Sequence, residues 1–189
     1  MPQILKQAIS NFKEIGSIAP SSQKLAERIV ENANIKNKRV IVEFGPGTGV
    51  ITREILKRKH KDAVYFGLEL NPDLVEETKR NCPEATVFCD SATNIAKYLK
   101  EIGKEECDCI VSGLPFANFD EDLQNEILAS ASNNLSNKGT FLTFSYNVSL
   151  ITKAGKLFRK KLPTYFSSVI RSKTIWANLP PAFIYKATK

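Results

Sequence analysis

The stretch VEFGPGTGV (42–50) constrains this chain more than any other. A β-branched run, RVIVEFG (39–45), feeds glycines at 45, 47 and 49. GVITREILKRKH (49–60) then carries Val50, Ile51, Ile55 and Leu56 on one helical face. A strand that turns into a helix through glycines is the opening unit of a parallel sheet. Glycine there permits positive φ and close approach of a ligand to the backbone. The spacing rules out two familiar motifs. Counted from Gly45 and Gly47, a GxGxxG fingerprint needs its third glycine at position 50, which is Val50, and the Lys-Ser/Thr of a P-loop is missing. An acid, Glu43, precedes the loop by two residues. A carboxylate there suits a cationic ammonium and repels a pyrophosphate.

The middle of the chain repeats the alternation. AVYFGLEL (63–70), ATVFCD (85–90), CDCIVSG (107–113) and TFLTFSY (140–146) read as strands. Helices are expected from Asn71, a cap with Pro72 behind it, to about Asn81, near 94–102, and over 120–135. Asn137-Lys138-Gly139 reads as the turn into the fifth strand. Such alternation builds a parallel sheet with helices on both faces. The tail differs: LITKAGKLFRKKL (150–162) is a basic amphipathic helix. YFSSVIRSKTIWA and AFIYKAT, joined by NLPP, read as an antiparallel hairpin at the sheet edge. At the front, Ile4, Leu5, Ala8, Ile9, Phe12 and Ile15 fall at helical spacing, which fits a helix packed on the domain or one lying on a lipid surface. With 189 residues, no repeat and no linker, the chain reads as one domain, 1–189.

Two further acids close strands. Glu69, 24 residues after Gly45, is placed to accept hydrogen bonds from a ribose diol, and Asp90 to meet an adenine amino group. Ordinary strand-end acids are the alternative. Cys82, Cys89, Cys107 and Cys109 form no CxxC pair, and His60 is the only histidine. They read as reduced thiols of a cytosolic protein, with no metal site expected. No apolar run nears a membrane span, and the N-terminus lacks the pattern of a secretory signal. The net charge of +7 is uneven: residues 151–189 carry nine Lys and Arg and no acid, leaving 1–150 at −2. That asymmetry points to an anionic partner, nucleic acid or an acidic membrane surface, or else to a solvated basic face.

Acid-GxGxG, followed by acids at the ends of strands two and three, resembles the class I S-adenosylmethionine-dependent methyltransferases. In such enzymes the exit of the fourth strand faces the transferred methyl group. Those acting on nucleobase amines carry Asn/Asp-Pro-Pro-Tyr/Phe or Asn-Leu-Pro-Tyr/Phe there. Here it reads Gly113-Leu114-Pro115-Phe116, so the Asn acceptor is gone and the aromatic kept. The glycine is expected to leave backbone carbonyls and room for a bulkier amine.

IGSIAPSS (15–22), VEFGPGTGVITREIL (42–56), LELNPDL (68–74), VSGLPFANF (111–119), FSYN (144–147) and WANLPPAF (176–183) together resemble the bacterial phospholipid N-methyltransferases. Asn147 departs from the glycine expected after FSY. The resemblance implies a Rossmann-like fold, a mostly parallel seven-stranded sheet with a C-terminal antiparallel β-hairpin and helices on both faces. Residues 1–22 would form an amphipathic helix and cofactor lid, 23–147 the cofactor-binding core, and 148–189 the basic helix and hairpin.

The cofactor would be S-adenosyl-L-methionine. Glu43, Gly45, Pro46, Gly47, Thr48 and Gly49 would hold its methionine part, Glu69 with Leu70 its ribose, and Asp90, Ser91 and Ala92 its adenine. Ser17, Ser21 and Ser22 of the lid, and Ser112, would complete that site. Gly113 and Tyr146 would orient the amine, and Leu114, Pro115, Phe116 and Asn178 would line the substrate. Asn178, within NLPP, reads first as part of a tight turn. The implied reaction is N-methylation of a lipid amine headgroup, of phosphatidylethanolamine or its methylated forms or an ornithine lipid. The enzyme would sit peripherally on the inner face of the membrane, with the first helix docking and basic residues of 153–161 meeting anionic headgroups. The alternative is an RNA adenine N6-methyltransferase.

Overall fold

The computed structural model describes residues 22–189. The front helix, Ser17 and Ser21 lie outside the described residues. Seven strands form one sheet: β1 (Val40–Phe44), β2 (Val64–Glu69), β3 (Val87–Cys89), β4 (Cys107–Ser112), β5 (Leu135–Tyr146), β6 (Ser168–Arg171) and β7 (Ala182–Thr188). Their spatial order is β3-β2-β1-β4-β5-β7-β6. The first five run parallel, and β7 inserts antiparallel between β5 and β6. The expected hairpin is therefore present, with its second strand inside the sheet and its first at the edge.

β1 is central and buried along its whole length, as an apolar β-branched run in a parallel sheet should be. Alternate residues serve opposite faces. Ile41 packs with Leu25 and Ile29 of α1 (Gln23–Ala33) and with Ile51 and Ile55 of α2 (Val50–Arg58). Val42 and Phe44 pack instead with Leu99 of α4 (Ile95–Glu101), Leu128 of α5 (Glu121–Asn134) and Phe158 of α6 (Lys153–Tyr165). α3 (Pro72–Asn81) follows β2, capped by Asn71 with Pro72 at its start, as the sequence predicts.

The structure adds α1, which sequence reading left within the core region unassigned. Ser22 caps it, its Oγ accepting from the Leu25 N–H. β5 also begins earlier than expected. It pairs at Leu135 with Cys107, shifts register, and resumes at Thr140 opposite Cys109. Lys138, at φ 64°, takes the turn-like conformation within that irregular stretch.

Candidate active site

Because β1, β2, β4 and β5 are parallel, their carboxyl ends meet on one edge, where the glycine loop leaves β1. The loop is clamped from behind by α3: the Thr78 hydroxyl donates to the Gly47 carbonyl at 2.6 Å and the Asn81 amide to the Thr48 carbonyl at 2.9 Å. Gly47 has φ 61°, and a Cβ built on it would meet nothing within 4 Å. It is glycine for its conformation, and its Cα borders open space.

Glu69 closes this cradle. Its Oε2 accepts from the Gly47 N–H at 3.2 Å and its Oε1 from the Asn71 N–H at 3.0 Å. Burial raises its pKa, and the backbone donors of Asn71, Gly47 and Leu70 oppose that rise. Leu70 follows, half-buried against the core.

Glu43 stands deeper. Its carboxyl is fully buried, Oε2 accepting from the Tyr65 hydroxyl at 2.5 Å and from the Thr52 hydroxyl at 2.7 Å. Oε1 has no hydrogen-bond partner among the described residues. Burial pushes its pKa up to about 7 against the lowering by Tyr65 and Thr52. Tyr65 and Thr52 are site residues that sequence reading missed. Tyr65 sits on an apolar strand and Thr52 inside a helix, so neither carries a local signal.

Asp90 is heavily engaged. Oδ1 accepts from Ser91 N–H and Asn94 Nδ2, each at 2.7 Å; Oδ2 accepts from the Tyr98 hydroxyl at 2.8 Å, with Lys97 Nζ 3.7 Å away. Burial alone would raise its pKa, but Asn94, Tyr98, Ser91 and the Lys97 charge together hold it below the usual value. The carboxylate thus fixes the turn carrying Ser91 and Ala92, both buried.

The fourth-strand exit differs from expectation in two respects. Gly113 does not open space for an amine. A Cβ there would stand 2.5 Å from the Gly45 carbonyl oxygen, and the Gly113 N–H donates to the Phe44 carbonyl at 2.8 Å. The glycine is required because two backbones touch. Nor does Phe116 present its ring to a substrate. It is buried, stacked on Phe158 at a centroid distance of 4.3 Å and edge-on to Phe141. Gln124 of α5, a third missed residue, holds this loop: its Nε2 donates to the carbonyls of Phe116 (2.8 Å), Phe119 (3.3 Å) and Ala154 (3.3 Å). Buried Ser112 accepts from the Leu114 N–H through Oγ, and the Leu114 side chain folds against Gly45. Pro115 is half-buried.

Tyr146, at the end of β5, is half-buried with its ring edge-on to Phe144. Its hydroxyl makes no hydrogen bond among the described residues, and burial raises its pKa. Asn178 is buried and committed to the protein. Its Oδ1 accepts from the Ser22 N–H at 3.0 Å, and its Nδ2 donates to the Pro180 carbonyl at 2.7 Å. It latches the start of α1 to the β6–β7 loop, which replaces the substrate-lining place expected for it. Lys161 is likewise spent inside: its Nζ donates to the Glu121 carbonyl at 2.8 Å and pairs with the Glu121 carboxylate at 3.3 Å. It is not a surface cation for headgroups.

The fold is shared with known proteins. The chain belongs to the class I S-adenosylmethionine-dependent methyltransferases, and its cofactor is S-adenosylmethionine. It is 33% identical over 174 residues to an ornithine lipid N-methyltransferase of Singulisphaera acidiphila, spanning 90% of this chain and 86% of that protein. Residues 14–96 match the ribosomal RNA adenine dimethylase family. A ribosomal RNA small subunit methyltransferase A of Clostridium acetobutylicum is 30% identical over 105 residues, 55% of this chain and 37% of that protein. An O-methyltransferase of Bacillus cereus, solved in complex with SAH, superposes with a TM-score of 0.72 at 12% identity, covering 100% of this chain and 92% of that one.

The residues present fit this cofactor. The open cradle at Gly47 admits a ligand against the backbone, and the unpartnered Oε1 of Glu43 is a buried acceptor two residues behind the loop. Glu69 borders the same cradle.

Proposed function

We propose that the chain is an S-adenosylmethionine-dependent N-methyltransferase acting on the amine headgroup of a membrane lipid, of the phosphatidylethanolamine or ornithine-lipid class. The observation that carries this reading is the inward Phe116 ring, packed on Phe158 and buried. A nucleobase amine is held for methylation by stacking on an aromatic face and by a side-chain acceptor. Here the aromatic is consumed by the core, and the backbone contact between Gly113 and Gly45 leaves no place for the acceptor. The lipid methyltransferase relative, aligned over most of both chains, supports the same choice.

In this reading the glycine cradle and Glu69 hold the cofactor, with Glu43 Oε1 behind the loop and the Asp90 turn beside the adenine. The bound cofactor supplies an activated methyl group. The headgroup ammonium must first release a proton to solvent, and the protein then desolvates and orients the amine so that its lone pair points at that methyl. Tyr146, whose hydroxyl has no other partner among the described residues, orients the headgroup at the end of β5. The enzyme works from the membrane surface, with its basic tail toward anionic lipid.

A second reading, RNA adenine methylation, is favoured by the match of residues 14–96 to the adenine dimethylases. Radiolabelled cofactor offered with liposomes containing phosphatidylethanolamine or ornithine lipid, and separately with ribosomal RNA, distinguishes them. Label in lipid is expected; label in RNA alone would overturn the lipid reading.

A further inference from the structure

Six large apolar side chains are exposed among the described residues, and four of them share one rim. Val148 and Ile151 are 59% and 74% exposed, in the turn after β5. Trp176 and Leu179 are 76% and 84% exposed, in the loop between β6 and β7. The two segments are tied together. The Asn147 N–H donates to the Pro181 carbonyl at 3.0 Å, and the Thr174 hydroxyl lies 3.5 Å from Asn147 Oδ1. Tyr146 pairs with Ala182, which also bridges to Ile175. This is the carboxyl end of β5, the same edge of the sheet as the glycine loop and Gly113. Isolated exposed hydrophobes are ordinary on a protein surface, but their concentration beside the mouth of a site is not.

The charged residues next to them in sequence have one sign. No Asp or Glu follows Glu126 in the sequence, and Lys153, Lys156 and Lys173, close in sequence to these residues, are exposed. Tryptophan beside lysines is the chemistry of a bilayer interface, where the indole sits at headgroup depth and the ammonium groups meet anionic lipid. Nucleic acid would use the lysines but gains little from Leu179, Ile151 and Val148.

We propose that Val148, Ile151, Trp176 and Leu179 form an apolar rim that dips into the surface of an anionic bilayer, so that the enzyme docks with its mouth against the membrane. A lipid amine then needs only to rise a short way to reach Tyr146. This gives the lipid-amine reading a docking surface and rests on it for its purpose. It differs from docking through the front helix alone, because the rim is built from the turn after β5 and the β6–β7 loop.

Trp176 is the only tryptophan in the chain, so its emission reports the rim directly. The full chain is mixed with vesicles of phosphatidylcholine and phosphatidylglycerol, which contain no amine acceptor, some carrying shallow doxyl-labelled lipid. The expected results are a blue shift and quenching by the doxyl lipid. Trp176→Ser combined with Ile151→Ser should weaken vesicle sedimentation by roughly tenfold or more while leaving S-adenosylmethionine affinity unchanged. Sedimentation without any change in Trp176 emission would overturn the proposal, as would quenching by an RNA oligonucleotide but not by vesicles. Docking as described with no transfer of label to any lipid amine would refute the lipid-amine reading and leave the rim standing. Transfer to detergent-dispersed lipid amine with Trp176 silent on vesicles would do the reverse.

Discussion

Gly113 and Gly45 touch backbone to backbone: a methyl group on the Gly113 Cα would lie 2.5 Å from the Gly45 carbonyl oxygen. The exit of the fourth strand and the cofactor loop therefore share a seam, closed also by the Gly113 N–H on the Phe44 carbonyl. Gly113→Ala must push that seam apart. The expected cost is ~1–3 kcal/mol of stability, read from the urea midpoint, with weaker binding of S-adenosylmethionine. Gly113→Asn, which restores the residue that adenine methylases carry, is expected to be less stable still and to gain no RNA methylation. A wild-type midpoint in Gly113→Ala would show that the seam is looser than the geometry says.

Glu69 accepts from two backbone N–H groups and borders the open cradle at Gly47. Replacing it with alanine removes the proposed ribose acceptor and frees both donors. S-adenosylmethionine affinity, measured by titration calorimetry, should fall by about 1.5–3 kcal/mol. Unaltered affinity would remove Glu69 from the site.

Glu43 makes stability depend on pH in a direction opposite to most carboxylates. Its folded pKa, about 7, lies above the ordinary glutamate value of 4.5. The folded state therefore binds the extra proton between those values, so stability is highest below about pH 4.5, falls as pH rises to 7, and is level above. From 2.5 pK units the contribution is ~3 kcal/mol. Glu43→Gln, which imitates the protonated form, should flatten that part of the stability–pH curve and be more stable than the wild type at pH 8. A parallel curve for the variant would mean that Glu43 does not titrate in this range.

Asn178 joins the start of α1 to the β6–β7 loop through the Ser22 N–H. Asn178→Ala leaves that donor and the Pro180 carbonyl without their partner, at an expected cost of ~1–3 kcal/mol. Amide exchange should quicken first at the beginning of α1, around Ser22 to Leu25. Protection that is unchanged there would show that the latch carries no weight.

The strands and the three strand-end acids were legible because they depend on local pattern: β-branched runs, glycine spacing, and Asn71-Pro72 at a helix start. Glu69 lies beside Gly47 because the register of β1 and β2 puts the end of β2 against the glycine loop. What stayed hidden depends on long-range packing. Gly113 reads from sequence as a vacated acceptor, and only the approach of β1 and β4 shows that it is a backbone contact. Phe116 has the aromatic character of a stacking residue, but Phe158, 42 positions later, claims its face. Asn178 and Lys161 are polar residues in polar segments, and their partners, Ser22 and Glu121, lie 156 and 40 positions away. The helix Gln23–Ala33 carries local marks of its own, the Ser22 cap and apolar residues at helical spacing.

The antiparallel insertion of β7 has a consequence for how the enzyme is made. Until residues 182–188 have left the ribosome, the Thr140–Tyr146 stretch of β5 is an open edge, carrying Phe141, Leu142 and Phe144. Unpaired edges of that kind invite association with other chains. The nascent protein thus carries a sticky flank until β7 is made, and a chain cut short before Ala182 should be recovered as aggregate rather than as a smaller folded domain.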